Sequence, residues 1–149
     1  MAFYVDETIR NNVERHDVAF DRFGIDPFGV SKEALIGFYS PLAWLYRHYL
    51  RVTTFGMEHI PAAGRALLIC NHTGGIGTDA GMLMTSLLLN QDHPRLGHGM
   101  AEYFFNKWPF TSQLMSRLGN LTGLPEHAEL LLSRERIVVA FPEGARGTS

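Results

Sequence analysis

Apolar and polar positions alternate in blocks along this chain, and the blocks differ in period. Ala66 to Cys70 is a short continuous apolar run, the pattern of a strand buried on both faces. Gly74, Gly75 and Gly77 come next within four positions and permit a sharp turn. Ala80 to Leu89 then reads as a buried helix. The same logic predicts a short strand in Arg95 to Met100, weakened by Gly97 and Gly99, and a brief one in Gly119 to Thr122. Ile137 to Phe141 is β-rich and buried in character. Val52 to Phe55 is a further strand candidate, with a connecting loop from Gly56 to Arg65 after it. Helices are predicted over Glu102 to Lys107, Pro109 to Leu118 and Pro125 to Leu132, the last with Pro125 in its first turn. Phe104, Phe105, Trp108 and Phe110 form an aromatic cluster. Strands alternating with helices predict an α/β fold with a mostly parallel sheet and flanking helices.

The first half of the chain is less regular. Residues 1–30 form a polar leader in which Ile9, Val13 and Phe20 fall at helical spacing, and Asp26-Pro27-Phe28-Gly29 closes it with a turn. Ser31 caps the helical segment after that turn. Pro41 divides residues 31–51 into a helix from Lys32 to Tyr39 and another from Pro41 to Leu50. In the second piece Leu42, Leu45, Tyr46 and Tyr49 share a face, with Trp44, Arg47, His48 and Arg51 elsewhere. That arrangement suits either an interfacial helix on a membrane or a helix packed on the domain's own core. Residues 52–149 make the α/β part. The last strand has no helix after it, so the expectation is an N-terminal portion of a longer protein, or a last strand covered by a partner or by the leader helices.

Composition narrows the classes. With 149 residues, 46% hydrophobic and 19% charged, the chain is a single globular domain rather than a disordered one. A net charge of -2 and the lack of a basic stripe argue against nucleic acid. One cysteine rules out an internal disulfide and points to a reducing compartment. The acidic N-terminus is no secretory signal, and no apolar run is long enough for a simple transmembrane helix.

Two stretches carry chemistry. Asn71-His72 ends the first strand and Asp79 begins the helix, at the sheet edge where open α/β folds bind ligands. A histidine can take a proton from a hydroxyl, and a carboxylate on its other nitrogen fixes the tautomer. The plain alternatives are a backbone-bonded loop histidine and, for Asp79, a helix cap. Pro142-Glu143-Gly144-Ala145-Arg146 leaves the last strand at the same edge, where Arg146 can fork onto a phosphate or simply pair with Glu143 on the surface. His93 and His98 are read as loop residues, not as metal ligands, and no metal site is expected.

Asn71-His72 with Asp79, joined about sixty residues later by Phe141-Pro142-Glu143-Gly144-Ala145-Arg146, resembles the glycerolipid acyltransferase family, which contains the lysophosphatidate acyltransferases. Gly56-Met57-Glu58-His59-Ile60-Pro61 is similar to that family's lead-in. The resemblance covers about Tyr49 to Ser149 and implies an incomplete acyltransferase domain. It implies direct acyl transfer from acyl-CoA or acyl carrier protein to a lipid hydroxyl, without a covalent intermediate and without a cofactor. His72 would be the base and Asp79 its orienter. Asn71, Thr73, Gly74, Gly75, Glu143, Gly144 and Arg146 would contact substrate. It also implies a cytoplasmic protein peripherally attached to the membrane. Two features depart from the family. Six residues rather than four separate His72 from Asp79, as in a subset with a longer glycine loop. Between Leu118 and Ser133 there is no arginine, which favours a neutral acceptor such as diacylglycerol over lysophosphatidate. The rivals are a thiol hydrolase using Cys70 and His72, a serine esterase lacking its Gly-x-Ser-x-Gly, and a phosphate- or nucleotide-binding module built on Gly74, Gly75 and Gly77.

Overall fold

The computed structural model describes residues 4–16, 18–72, 77–90, 92–101 and 109–143. Four strands, β1 (Ala66–Ile69), β2 (Gly97–Ala101), β3 (Leu121–Thr122) and β4 (Ile137–Ala140), pair in parallel in the order β1-β4-β2-β3. The fold is the expected α/β architecture. β4 lies inside the sheet because Ile137, Val138 and Val139 can all be hidden, and none is exposed at all. The connections are α3 (Thr78–Leu89) from β1 to β2, α4 (Thr111–Arg117) from β2 to β3, and α5 (Pro125–Ser133) from β3 to β4. The first two crossovers run one way across the sheet and the third runs back. Right-handed connections therefore place α5 on the face opposite α3.

β1 corrects one expectation. Among the described residues it is an edge strand, and only one of its faces is covered. Ala66, Leu68 and Cys70 pack toward the main core, while Leu67 and Ile69 are 50% and 68% exposed. A continuous apolar run cannot by itself tell an inner strand from an edge strand covered on one side.

Glycines in β2 are a packing device rather than a weakness. A Cβ on Gly97 would stand 2.7 Å from Met84 Sδ and 2.8 Å from Leu87 Cδ1, so its absence lets α3 settle onto the sheet. The Gly99 N–H donates to Asn120 Oδ1 at 3.1 Å, which joins β2 to the turn before β3.

Residues 4–30 supply core as well as polar surface. Helix α1 (Glu7–Arg15) starts at Asp6, whose carboxylate accepts the Ile9 N–H at 3.1 Å. Ile9 and Val13 are buried, and Asn12 Nδ2 donates to the Leu88 carbonyl at 2.7 Å. Phe20 lies beyond the helix and is partly buried against the core. The Asp26 turn forms as expected: its Oδ1 accepts the Phe28 and Val30 N–H groups. Its Oδ2 accepts from Arg136 at 3.2 Å and ties the turn to the entrance of β4.

The expected break at Pro41 is absent. α2 (Lys32–Trp44) runs straight through it. Proline forfeits one bond there, to the residue four back, Gly37. Burial of Tyr39, Ser40 and Ala43 against the core outweighs that loss. The helix then widens into one π-helical turn, Leu45–Tyr49, closed by the Leu50 N–H on the Leu45 carbonyl at 2.8 Å. The expected strand at Val52 to Phe55 is irregular chain instead. Among the described residues no strand pairs with it, Thr54 is held by the Tyr46 hydroxyl, and Phe55 is 88% exposed. β-Propensity without a ladder partner does not make a strand. The helix expected at Glu102 to Lys107, and with it Phe104, Phe105 and Trp108, lies outside the described residues. Phe110 is exposed.

Candidate active site

Strand parity sets the direction of the β1 side chains that lead to the mouth. Ala66, Leu68 and Cys70 face the α3 side of β1. The same alternation carried two residues further turns His72 toward the start of α3. There His72 Nδ1 and Asp79 Oδ2 lie 2.8 Å apart. Asp79 is not the cap of α3: the cap position is Gly77, in the left-handed conformation with φ 79°. Asp79 falls in the first helical turn, where the helix dipole favours a negative charge. Its Oδ1 accepts the Ala80 N–H at 2.8 Å, which leaves Oδ2 for the imidazole.

With Nδ1 donating to a carboxylate, the Nε2 lone pair of a neutral imidazole becomes the proton acceptor. The pair is sheltered but reachable, at 16% and 22% side-chain exposure. On the neighbouring strand, the register Ile69↔Ala140 extends to Cys70 beside Phe141, with the Cys70 N–H donating to the Ala140 carbonyl at 3.0 Å. The Phe141 ring lies 5.0 Å from the His72 ring, tilted by 50°. Burial, reinforced by the Asp79 charge, pushes the Cys70 thiol pKa up, the wrong direction for a nucleophilic thiolate.

The other expected site residues divide into two groups. Asn71 is exposed beside His72, and Glu143 is exposed two positions beyond Phe141 at the same edge. Thr73, Gly74, Gly75, Gly144 and Arg146 lie outside the described residues. A separate crevice of ≈ 200 Å³, lined by Ser112, Asn120, Thr122 and His127 among others, sits at the far edge of the sheet. The crevice also touches the end of β2 at Ala101, so it lies two to three strand spacings, roughly 10–14 Å, from β1.

His98 is a further correction. It belongs to β2, not to a loop, and is fully buried. Its Nδ1 bonds the Gly119 carbonyl at 2.8 Å. Burial lowers its pKa to about 4, so it is a neutral structural group. No local pattern marks Arg95 either. It is 1% exposed and donates to the carbonyls of Pro61 and Gly64, each at 2.6 Å, and of Glu135 at 3.5 Å. It clamps the loop leading into β1 against the turn leading into β4. By pattern alone Phe141 is only the end of a strand, although its parity with Cys70 is implied by a parallel pairing of the two apolar runs.

The chain is thus an open parallel α/β protein with a histidine–carboxylate couple at the sheet edge where folds of this class bind ligands. A family model described as Acyltransferase matches residues 51–149, and the chain belongs to that acyltransferase family. It is 30% identical over 134 residues to an uncharacterized protein of Mycobacterium leprae (strain TN), covering 88% of this chain and 35% of that one. Uncharacterized proteins of Mycobacterium bovis and Mycobacterium tuberculosis are similar at 30% identity over 88% of this chain and 36% of theirs. The chain therefore spans about a third of the length of the curated relatives it matches. No solved structure matches it.

Proposed function

We propose that the protein transfers a fatty acyl group from a thioester to a lipid hydroxyl, with His72 as general base and Asp79 as its orienter. The observation that carries this reading is the 2.8 Å contact between His72 Nδ1 and Asp79 Oδ2 at the edge of the sheet. Nε2 takes the proton from the acceptor hydroxyl as its oxygen attacks the thioester carbonyl. The tetrahedral centre collapses, the C–S bond breaks, and the thiolate leaves with the proton from the imidazolium. The products are an ester and a free thiol, with no acyl-enzyme. Acyl-CoA or acyl carrier protein is the donor. Asn71, Thr73, Gly74, Gly75, Glu143, Gly144 and Arg146 are assigned to substrate binding. The missing arginine between Leu118 and Ser133 favours a neutral glycerolipid alcohol as acceptor.

The reading includes peripheral attachment to a membrane surface. Trp44, Tyr49, Leu50 and Phe55 expose large apolar side chains around the π-helical turn. Leu42, one turn earlier, reaches toward Gly81 in the first part of α3, so this aromatic edge adjoins the end of the fold that carries Asp79. Among the described residues no helix is long and apolar enough to cross a membrane, and surface adsorption requires none.

The test is purified full-length protein with long-chain acyl-CoA and a panel of lipid alcohols. Wild type should form ester and His72→Ala should not; equal product from both removes His72 from the mechanism. Free fatty acid without ester would instead identify a thioester hydrolase, with water in the acceptor's place. Thermal stabilisation by nucleotides but not by acyl-CoA would favour a binding module. Replacing Trp44, Tyr49 and Phe55 with serine should abolish sedimentation with phospholipid vesicles; unchanged sedimentation would refute the proposed surface.

A further inference from the structure

We infer that Phe141 is a positioning residue that sets the plane of the His72 imidazole, so that the second motif acts on the base of the first. The inference rests on the reading of His72 as base. Asp79 holds one ring atom, Nδ1, and a single hydrogen bond leaves the ring free to swing about that contact. A second constraint on a different part of the ring is needed to keep Nε2 aimed at one place. Phe141 supplies it. Its ring stands 5.0 Å from the imidazole at a tilt of 50°, within the range of a favourable aromatic contact.

The backbone fixes this partnership. Parallel pairing of β1 with β4 sets Leu68 beside Val139 and, one parity step on, Cys70 beside Phe141. Val139 and Phe141 share the face occupied by Leu68 and Cys70, which is the face toward which His72 turns. The ring is itself partly buried and packed against the core, which restricts its own movement. Pro142 comes directly after it and limits how the chain leaves the strand. Phe141 also replaces water on one side of the imidazole.

The experiment uses full-length protein, acyl-CoA and the acceptor that wild type esterifies. Phe141→Ala should lower kcat by about 10- to 100-fold, the cost expected of a small misplacement of a reacting group. KM for both substrates should stay within about threefold, because the ring binds neither substrate. Phe141→Tyr keeps the ring and should restore most of the rate. Phe141→Leu keeps most of the volume without the flat face and should remain impaired. Leu89→Ala, at the opposite end of α3, controls for a general loss of packing: it should lower the melting temperature and leave kcat unchanged. Three results overturn the inference: wild-type kcat in Phe141→Leu, failure of Phe141→Tyr to recover, or an equal fall in kcat with Leu89→Ala. If Phe141→Ala does not fold, the Leu and Tyr variants decide alone. A silent Phe141 beside an inactive His72→Ala refutes only the positioning role, whereas an active His72→Ala refutes the acyl-transfer base itself.

Discussion

Asp79→Asn removes one charge and almost no volume, which makes it the cleanest perturbation of the proposed mechanism. In the proposed mechanism the imidazole gains its positive charge as the acceptor proton moves, so the carboxylate contributes mainly to the transition state. Nδ1 and Oδ2 are 2.8 Å apart, and both side chains are mostly sheltered, at 16% and 22% exposure. Taking the charge centres at about 4 Å and an effective dielectric of about 20, their attraction is about 4 kcal/mol. Partial solvent access and the residual amide dipole reduce this to roughly 3 kcal/mol, or about 100-fold in rate. Folding should hardly respond, because loss of a negative charge in the first turn of α3 costs about 0.3–1 kcal/mol. The assay is initial-rate release of CoA thiol with saturating donor and acceptor, beside a melting curve for each protein. The expected result is a kcat down by about 10² to 10³ with KM within about threefold and little change in melting temperature. An Asp79→Asn enzyme within threefold of wild type would falsify the orienting role, since nothing else in the substitution compensates for the missing charge.

Three further outcomes come from the packing and the buried groups. His98 has a folded-state pKa of about 4, below the ordinary imidazole value of 6.5, because it is buried. The unfolded chain therefore binds more protons between those values, and stability falls as the pH drops through that window. Between pH 7 and pH 5 the contribution is about 2 kcal/mol, and urea unfolding of His98→Asn, which can still donate to Gly119, should show a drop smaller by that amount; equal drops would refute it. Gly97→Ala should destabilise by about 1–3 kcal/mol through overpacking against Met84 and Leu87, with Met84→Ala restoring part of the loss in melting temperature. Cys70→Ala should keep full acyl-transfer activity, because the raised thiol pKa leaves Cys70 as packing; a loss beyond tenfold would return the thiol to the mechanism.

How much of the fold is legible in the sequence depends on the range of the forces involved. β2, β3, β4, α3 and α5 lie within a few residues of their expected positions, because each is written in a local period that its neighbours reinforce. The departures share another cause. Local propensity makes Pro41 a break and Val52 to Phe55 a strand, whereas burial of Tyr39 and Ala43 decides the first and the lack of a pairing strand among the described residues decides the second. Buried polar groups are the hardest to see. Asn12 meets Leu88, Asp26 meets Arg136, and Arg95 meets Pro61, Gly64 and Glu135, all across long stretches of chain. Each reads as solvated surface until its distant partner is known.

The His72–Asp79 pair sits between these extremes: local pattern allows it beside a loop histidine and a helix cap, and the resemblance to the acyltransferase family chooses among them. Its partners are seven positions apart, close enough for one strand end and one helix start to dictate the meeting. The six intervening residues include three glycines, so the loop imposes little conformational resistance to closure. Phe141 requires one more piece of knowledge: that β4, the last of the described strands, inserts beside β1, first in the sheet. Once that adjacency is given, parity alone brings the ring of the second motif onto His72 of the first. The long separation between the two motifs is thus no obstacle to a joint site. It is the length of chain that a parallel sheet needs to run out through β2 and β3 and return β4 to the side of β1.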